Sequence, residues 1–261
     1  MKFVDYLLAD NFCFRDSTLV PGVIGTNDWC FIDYNRGYST DLERSGSVDL
    51  FRLPKPKLFF YRSQDCKEPM VFAVRDGAKV VVFSNCDEVE IRQKGATVQR
   101  RRPDDGPDTA FNPKTATSPN WETALLWGTD YSGGNPFDGG NARHLAHPPF
   151  TFNGVPDGNL EVVGFRDGQE ATRQSLRTPG PAVGLRVVVR DEGVPPVEGD
   201  LVFVDAELVD GAGDIVPEAR PVRFQAEGGE IVGAMEATEA GIASCLVRAG
   251  AGGAIKLTAH L

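Results

Sequence analysis

The last third of the chain carries the feature that most limits its possible folds, a series of short apolar runs separated by glycine, proline and Asp-Gly turns. Glycine supplies positive φ angles and proline presets φ, so this punctuation suits strands joined by tight turns. Several short strands spaced about 8–12 residues apart are typical of an immunoglobulin-like β-sandwich. We expect one over residues 178–261, with strands at 183–190, 201–209, 222–226, 229–233, 242–248 and 255–259.

The preceding region, residues 65–177, also reads as β structure. Short β runs occur at 69–72, 78–84, 89–93, 150–152, 159–166 and 170–176. Lys94-Gly95 is a predicted hairpin tip, and Asp76-Gly77 and Asp167-Gly168 are turn signals. Residues 103–141 are rich in Gly, Pro, Asn and Asp without periodicity, and a loop of that length is usually functional or forms an interface.

Residues 1–64 contain too few elements to enclose a core. The pattern predicts a loop leading into one buried strand within 19–34, and a short helix at 57–64 with Pro56 near its start. This region is therefore the tail of a larger α/β unit or a segment packed on the β region after it. If it lacks neighbours, the apolar side chains of Val23, Ile24, Phe31 and Ile32 predict poor order or self-association.

Charge and cysteine usage exclude several classes of function. The net charge of −10 opposes binding to nucleic acid, and no apolar stretch is long enough to predict a membrane span. The five cysteines have neither a disulfide-framework count nor zinc-ligand spacing, which is compatible with the cytoplasm. No secretory leader is recognisable at the N-terminus, and the compartment stays open. With no phosphate-binding or dinucleotide motif, we expect no cofactor, no metal, no nucleic-acid partner and no membrane partner.

Several strings along the chain carry a family resemblance. They are WCFIDYNRGY at 29–38, DLFRLPKP at 49–56 with FYRSQ at 60–64, VFSNCDEVE at 82–90, HLAHPPF at 144–150, IVG at 231–233 and TEAGIA at 238–243. In this order they resemble the C-terminal part of a β-galactosidase-like enzyme of glycoside hydrolase family 2. The resemblance implies that 1–64 holds the last strand and helix of a (β/α)8 barrel. It also implies immunoglobulin-like β-sandwich domains at 65–177 and 178–261.

The same resemblance implies what the chain lacks. Family 2 enzymes are retaining glycosidases with two catalytic glutamates at the ends of barrel strands four and seven. Here the first glutamate is Glu43, after the segment that resembles strand eight. We therefore expect no catalytic residue in this chain, and a supporting role for a missing catalytic barrel that acts on a carbohydrate substrate. The alternatives are a stand-alone carbohydrate-binding or adhesion module, and one half of a two-chain enzyme.

Four residues are candidates for contact with substrate in the complete enzyme. The resemblance puts Trp29 at the end of the last barrel strand, where its ring could form a platform for a sugar. Asp33, Asn35 and Arg36 follow on the loop, where polar groups could reach sugar hydroxyls, although ordinary turn and capping roles are an alternative. His144 and His147 have a spacing found in metal sites, but the prolines that follow favour a structural role.

Overall fold

The computed structural model describes residues 30–38, 42–103, 146–251 and 255–261. The chain divides into two compact units, residues 1–176 and residues 177–261. Within the described ranges the fold is mostly β, as the sequence predicts, with one α-helix, Pro56–Asp65. That helix is not long and apolar enough to cross a membrane.

The first unit contains a helix and nine strands among its described residues. We label the helix α1 and the strands β1 (Tyr34–Asn35), β2 (Leu42–Glu43), β3 (Val71–Asp76), β4 (Lys79–Ser84), β5 (Glu88–Gln93), β6 (Ala96–Arg101), β7 (Phe150–Phe152), β8 (Leu160–Arg166) and β9 (Gln169–Leu176). The strands form a β1-β2 pair, a three-stranded sheet in the order β3-β4-β7, and a four-stranded sheet in the order β6-β5-β8-β9. Every pairing between them is antiparallel.

Two hairpins of the first unit turn where the sequence predicts. Lys94 and Gly95 join β5 to β6 with φ angles of 51° and 79°. Asp167 and Gly168 join β8 to β9 with φ angles of 51° and 76°. Two consecutive positive φ angles are required for a type I′ turn, and its twist matches that of the flanking strands.

Strand β4 is buried on both faces, which explains its continuous apolar sequence. Val80 and Val82 belong to an apolar cluster built from the three-stranded and the four-stranded sheets of the first unit. Val81 and Phe83 point the other way and pack against Phe60 of α1. The rings of Phe60 and Phe83 meet edge to face at 5.8 Å, a favourable aromatic geometry. The predicted helix is therefore confirmed, and it covers the outer face of the three-stranded sheet.

The strand predicted within residues 19–34 is described only from residue 30 onward, and there it makes short contacts. Ile32 makes one parallel bridge to Val48, and β1 adds only two residues. The side chain of Phe31 is 63% exposed. A strand needs a long neighbour to supply hydrogen-bond partners, and the described residues offer only these short contacts. Val23 and Ile24 lie outside the described residues.

Hydrogen bonds join β6 to the region around β7, on either side of the undescribed segment 104–145. Gln99 donates through Nε2 to the carbonyl of Asn153 at 2.8 Å, and Arg101 donates to the carbonyl of Thr151. Gln64 of α1 exchanges two hydrogen bonds with the backbone of His147, at 2.6 and 3.1 Å. The chain therefore leaves and re-enters the described fold at neighbouring places. The predicted loop at 103–141 falls almost wholly outside the described residues.

The second unit confirms all six predicted strands, each within one residue at either end. They are β10 (Ala182–Arg190), β11 (Leu201–Asp210), β12 (Arg223–Glu227), β13 (Gly229–Ala234), β14 (Ile242–Ala249) and β15 (Lys256–His260). One sheet has the order β10-β11-β14-β13 and the other is the pair β12-β15. Residues of both sheets, among them Val204, Phe224 and Cys245, form one buried apolar cluster.

Candidate functional site

The candidate site is the segment that carries three of the four predicted residues, and its centre is the buried carboxylate of Asp33. This side chain is 3% exposed. Its Oδ1 atom accepts a hydrogen bond from the backbone N–H of Gly46 at 2.9 Å and lies 2.6 Å from Nζ of Lys55. Its own backbone N–H donates to the carbonyl of Val48 at 3.0 Å. We call Asp33, Gly46 and Lys55 the clamp.

The clamp depends on a glycine and on the start of a helix. A Cβ atom at position 46 would lie 2.4 Å from the backbone nitrogen of Asp33 and 2.6 Å from its Oδ1, so only glycine fits. Lys55 directly precedes Pro56, the first residue of α1. Its ammonium also donates to the carbonyl of Arg44 at 2.8 Å. The buried carboxylate is thus paired with a partly exposed ammonium, and the hydrogen bonds to both groups offset the cost of removing the carboxylate from water.

The turn that follows presents Asn35 and Arg36 at the surface. The side-chain oxygen of Asn35 accepts the backbone N–H of Gly37 at 2.9 Å, a local bond typical of turn-forming asparagines. The guanidinium of Arg36 pairs with Glu43 of β2 and contacts the hydroxyl of Tyr38 at 3.4 Å. Both side chains therefore have a structural contact, and both remain exposed enough to meet a ligand.

The structure brings Asp33, Asn35 and Arg36 together on one short segment that includes β1, whereas Trp29 lies outside the described residues. Contact with a sugar stays a prediction for all four. Nothing in the local sequence distinguishes Gly46 or Lys55 as a site residue. Lys55 pairs with a residue 22 positions away, and local spacing does not predict a contact at that distance.

Three acidic residues follow β4, namely Asp87, Glu88 and Glu90. Glu88 and Glu90 pair with arginine side chains, and Asp87 is held by the turn between β8 and β9. Hydrogen bonding and the charge of Arg100 lower the pKa of Glu88. Burial alone would raise the pKa of Glu90, but hydrogen bonds from Arg92 at 2.6 Å and from Thr97 at 2.8 Å outweigh it and lower the pKa. Within the described ranges, no group of three or more His, Cys, Asp and Glu side chains could hold a metal ion.

His147 is held through its backbone, and His144 lies outside the described residues. Burial lowers the pKa of the His147 imidazole, and the nearby charge of Arg166 lowers it further. His147 borders an open depression of about 680 Å³ that also includes Cys86, Asp87 and Phe165. Asp87 already accepts the backbone N–H of Asp167 at 2.8 Å, so it helps to form the β8–β9 turn.

No family model matches the chain. A β-galactosidase of Thermoanaerobacter pseudethanolicus is 29% identical over 245 residues, which cover 82% of this chain and 28% of that protein. A β-galactosidase of Thermoanaerobacterium thermosulfurigenes is 30% identical over 108 residues, covering 35% of this chain and 14% of that protein. The chain therefore spans less than a third of the length of either relative.

Solved structures share the fold. A glycosyl hydrolase family 2 member from Bacteroides cellulosilyticus superposes with a TM-score of 0.67 at 17% identity, covering 97% of this chain and 35% of that one. A β-glucuronidase from glycoside hydrolase family 2 gives the same TM-score at 19% identity, covering 98% of this chain and 26% of that one. At this level of identity the likeness concerns the fold alone.

Proposed function

From the premise that this chain is similar to the C-terminal part of a β-galactosidase-like enzyme of glycoside hydrolase family 2, we propose that it is a non-catalytic part of such a glycosidase and supports the catalytic barrel. The observation that carries the proposal is the match of 82% of this chain to only 28% of a β-galactosidase. In this proposal residues 1–64 supply the last barrel strand and helix. Residues 65–177 and 178–261 are immunoglobulin-like β-sandwiches.

The packing of α1 supports a buttressing role. The helix buries Phe60 against Phe83, and its Phe59 ring stacks on Phe72 at 3.6 Å. An element that resembles a barrel helix is thus fixed to the face of a β-sheet. Burial of such aromatic side chains contributes about 1.5–3 kcal/mol each, so the sheet would stabilise the end of the barrel.

Hydrolysis of O-glycosyl bonds with retention needs a carboxylic acid and a carboxylate nucleophile about 5–5.5 Å apart. No glutamate precedes Glu43 in this sequence, and Glu43 itself pairs with Arg36. We therefore assign the catalytic pair to the part of the enzyme that this chain does not match. Trp29, Asp33, Asn35 and Arg36 would belong to the rim of the substrate site, and Asn35 and Arg36 are the exposed side chains among the three that the structure describes.

Hydrolysis of a nitrophenyl β-galactoside tests the proposal in two steps. The purified chain alone should show no turnover, and stoichiometric turnover would overturn the non-catalytic role. In the second step, this chain replaces the matching 28% of the Thermoanaerobacter pseudethanolicus β-galactosidase. We expect that chimera to hydrolyse the substrate, whereas the same enzyme cut before the replaced segment should not. A folded chimera without turnover would contradict the supporting role.

Affinity electrophoresis in a panel of polysaccharides tests the alternative of a stand-alone binding module. The exposed Asn35 and Arg36 on the loop are the features that would favour it. A supporting element without its barrel should migrate at the same rate in every gel. Retardation by one polysaccharide, lost in the Arg36→Ala variant, would favour the binding module over the proposed function.

A further inference from the structure

We infer that Asp33 is a positioning residue: the clamp fixes the turn at residues 35–38 relative to α1, and contact with substrate is left to Asn35 and Arg36. This inference rests on the proposed function and assigns different roles within the same site. It also names Lys55 and Gly46, which the sequence did not predict, as parts of the site.

The Asp33 carboxylate is already held inside the protein. It is 3% exposed, and its Oδ1 atom is already held by Gly46 and Lys55 at 2.9 and 2.6 Å. A sugar hydroxyl that bound this oxygen would compete with the Lys55 ammonium or with the backbone N–H of Gly46. Either exchange would leave a buried polar group without its partner, which is costly. Direct binding of substrate by Asp33 is therefore disfavoured.

The clamp holds the segment that carries Asn35 and Arg36 close to residue 46. The absence of a Cβ at Gly46 allows the backbone of residue 46 to approach Asp33, where a Cβ would lie 2.4 Å from the Asp33 nitrogen. Two residues after Asp33, the Asn35 side chain closes the turn onto Gly37. Arg36 is held from the other side by Glu43 of β2. The two exposed polar side chains thus project from a segment that is held at both ends.

The clamp is connected to the three-stranded sheet through Lys55 and α1. Lys55 immediately precedes α1, and α1 is seated on β4 through Phe60 and Phe83. Sheet, helix, Lys55 and Asp33 form a continuous series of contacts that ends at the turn. Because a misplacement of about 1 Å can cost on the order of 100-fold in rate, such a series lets a distant sheet influence the substrate site without touching it.

A purely structural role for Asp33 predicts a different result from a positioning role. In a structural role, removing one charge of the ion pair lowers stability and leaves the kinetics of the folded enzyme unchanged. In a positioning role, the kinetics change even when the stability is recovered. The double variant Asp33→Asn/Lys55→Met separates the two, since it removes both charges and leaves no uncompensated ion.

The test uses the active chimera with Lys55→Met, the double variant, and Lys256→Met as the matched control. Lys256 pairs with Glu227 at 3.3 Å on the surface of the second unit, where its side chain is 70% exposed. We expect KM for the nitrophenyl β-galactoside to rise about tenfold in Lys55→Met. The double variant should recover its melting temperature but keep the raised KM, and Lys256→Met should change neither. Recovery of KM together with stability would overturn the inference.

A second measurement decides the inference if the unmodified chimera has no turnover, the result that contradicts the proposed function. Amide hydrogen exchange is then measured on the chain alone. Lys55→Met should speed exchange of the Gly37 and Gly46 amides about tenfold more than that of the β4 amides. Equal acceleration at all these sites, or none at Gly37, would show that the clamp does not position the turn.

Discussion

Each unit buries an aspartate beside a cation, but the two aspartates are held in different ways. Asp33 joins irregular segments of the first unit, and its partner Lys55 lies 22 residues away. Asp205 lies within β11, paired on both sides in a regular ladder, with Arg190 at 2.9 Å and the Ser244 hydroxyl at 2.6 Å. Where a ladder fixes the backbone, the side-chain pair adds to an existing structure. Near Asp33 the described backbone makes only an isolated bridge and the two-residue strand β1, so the side-chain pair contributes a larger share of what holds the segment.

Lys55→Met should have the largest effect, because it leaves the Asp33 carboxylate buried without its charge partner. We expect a loss of about 3–5 kcal/mol in the free energy of unfolding of the first unit. Amide hydrogen exchange of the β4 residues across a urea titration measures it, because β4 lies in the first unit. A loss no larger than that of the Asp33→Asn/Lys55→Met variant would show that the ion pair does not hold the loop.

Gly46→Ala should come next, because the added Cβ meets backbone as well as side-chain atoms that cannot move easily. A loss of about 3 kcal/mol is expected, at the upper end of the usual cost of overpacking. The matched control is Gly184→Ala in β10, where nothing lies within 4 Å of the added Cβ. The same urea titration reports on Gly46→Ala, and circular dichroism reports on the control. Equal losses for both variants would contradict the close approach at Gly46.

Arg190→Met should cost less than Lys55→Met, because Asp205 keeps the Ser244 hydroxyl and its ladder remains intact. We expect a loss of about 1–3 kcal/mol. Amide hydrogen exchange of the β11 residues measures the second unit separately. If this loss equals or exceeds that of Lys55→Met, the distinction between ladder-held and loop-held aspartates is wrong.

The smallest effect concerns Asp210, which is held by backbone groups. Hydrogen bonds from the backbone N–H groups of Gly180 and Asp214, at 2.7 and 2.9 Å, lower its pKa below the ordinary value of 3.8. Its contribution to stability is therefore complete above that value and is lost as the pH falls through the lower, folded-state pKa. The melting temperature of Asp210→Asn should fall less between about pH 5 and pH 2 than that of the wild type. Parallel curves would contradict this assignment.

The sequence predicts the second unit well because strands such as β11 and β14 carry their own pattern. The buried positions Val202, Val204 and Ala206 alternate along β11, and the neighbouring strands repeat the arrangement. The segment near Ile32 has similar composition, yet its described residues make only a bridge and a two-residue strand. A strand depends on partners as well as on its own residues, and the local pattern does not supply them.

The candidate site was predictable only in part, for a similar reason. Asn35 next to Arg36 and Gly37 indicates a polar turn, and the structure has one. The burial of Asp33 depends on Gly46 and Lys55, which are distant in sequence and ordinary in type. A contact between two single residues that are far apart in sequence produces no periodicity or spacing from which it could be predicted.

The hydrogen bonds from Gln99 to Asn153 and from Gln64 to His147 also bear on the integrity of the backbone. They connect residues that precede position 104 with residues that follow position 145, so the two parts of the first unit are held together by noncovalent contacts as well as by the chain itself. The antiparallel pairings of β4 with β7 and of β5 with β8 join the same two parts. A single cut of the backbone between residues 104 and 145 should therefore leave the two parts associated.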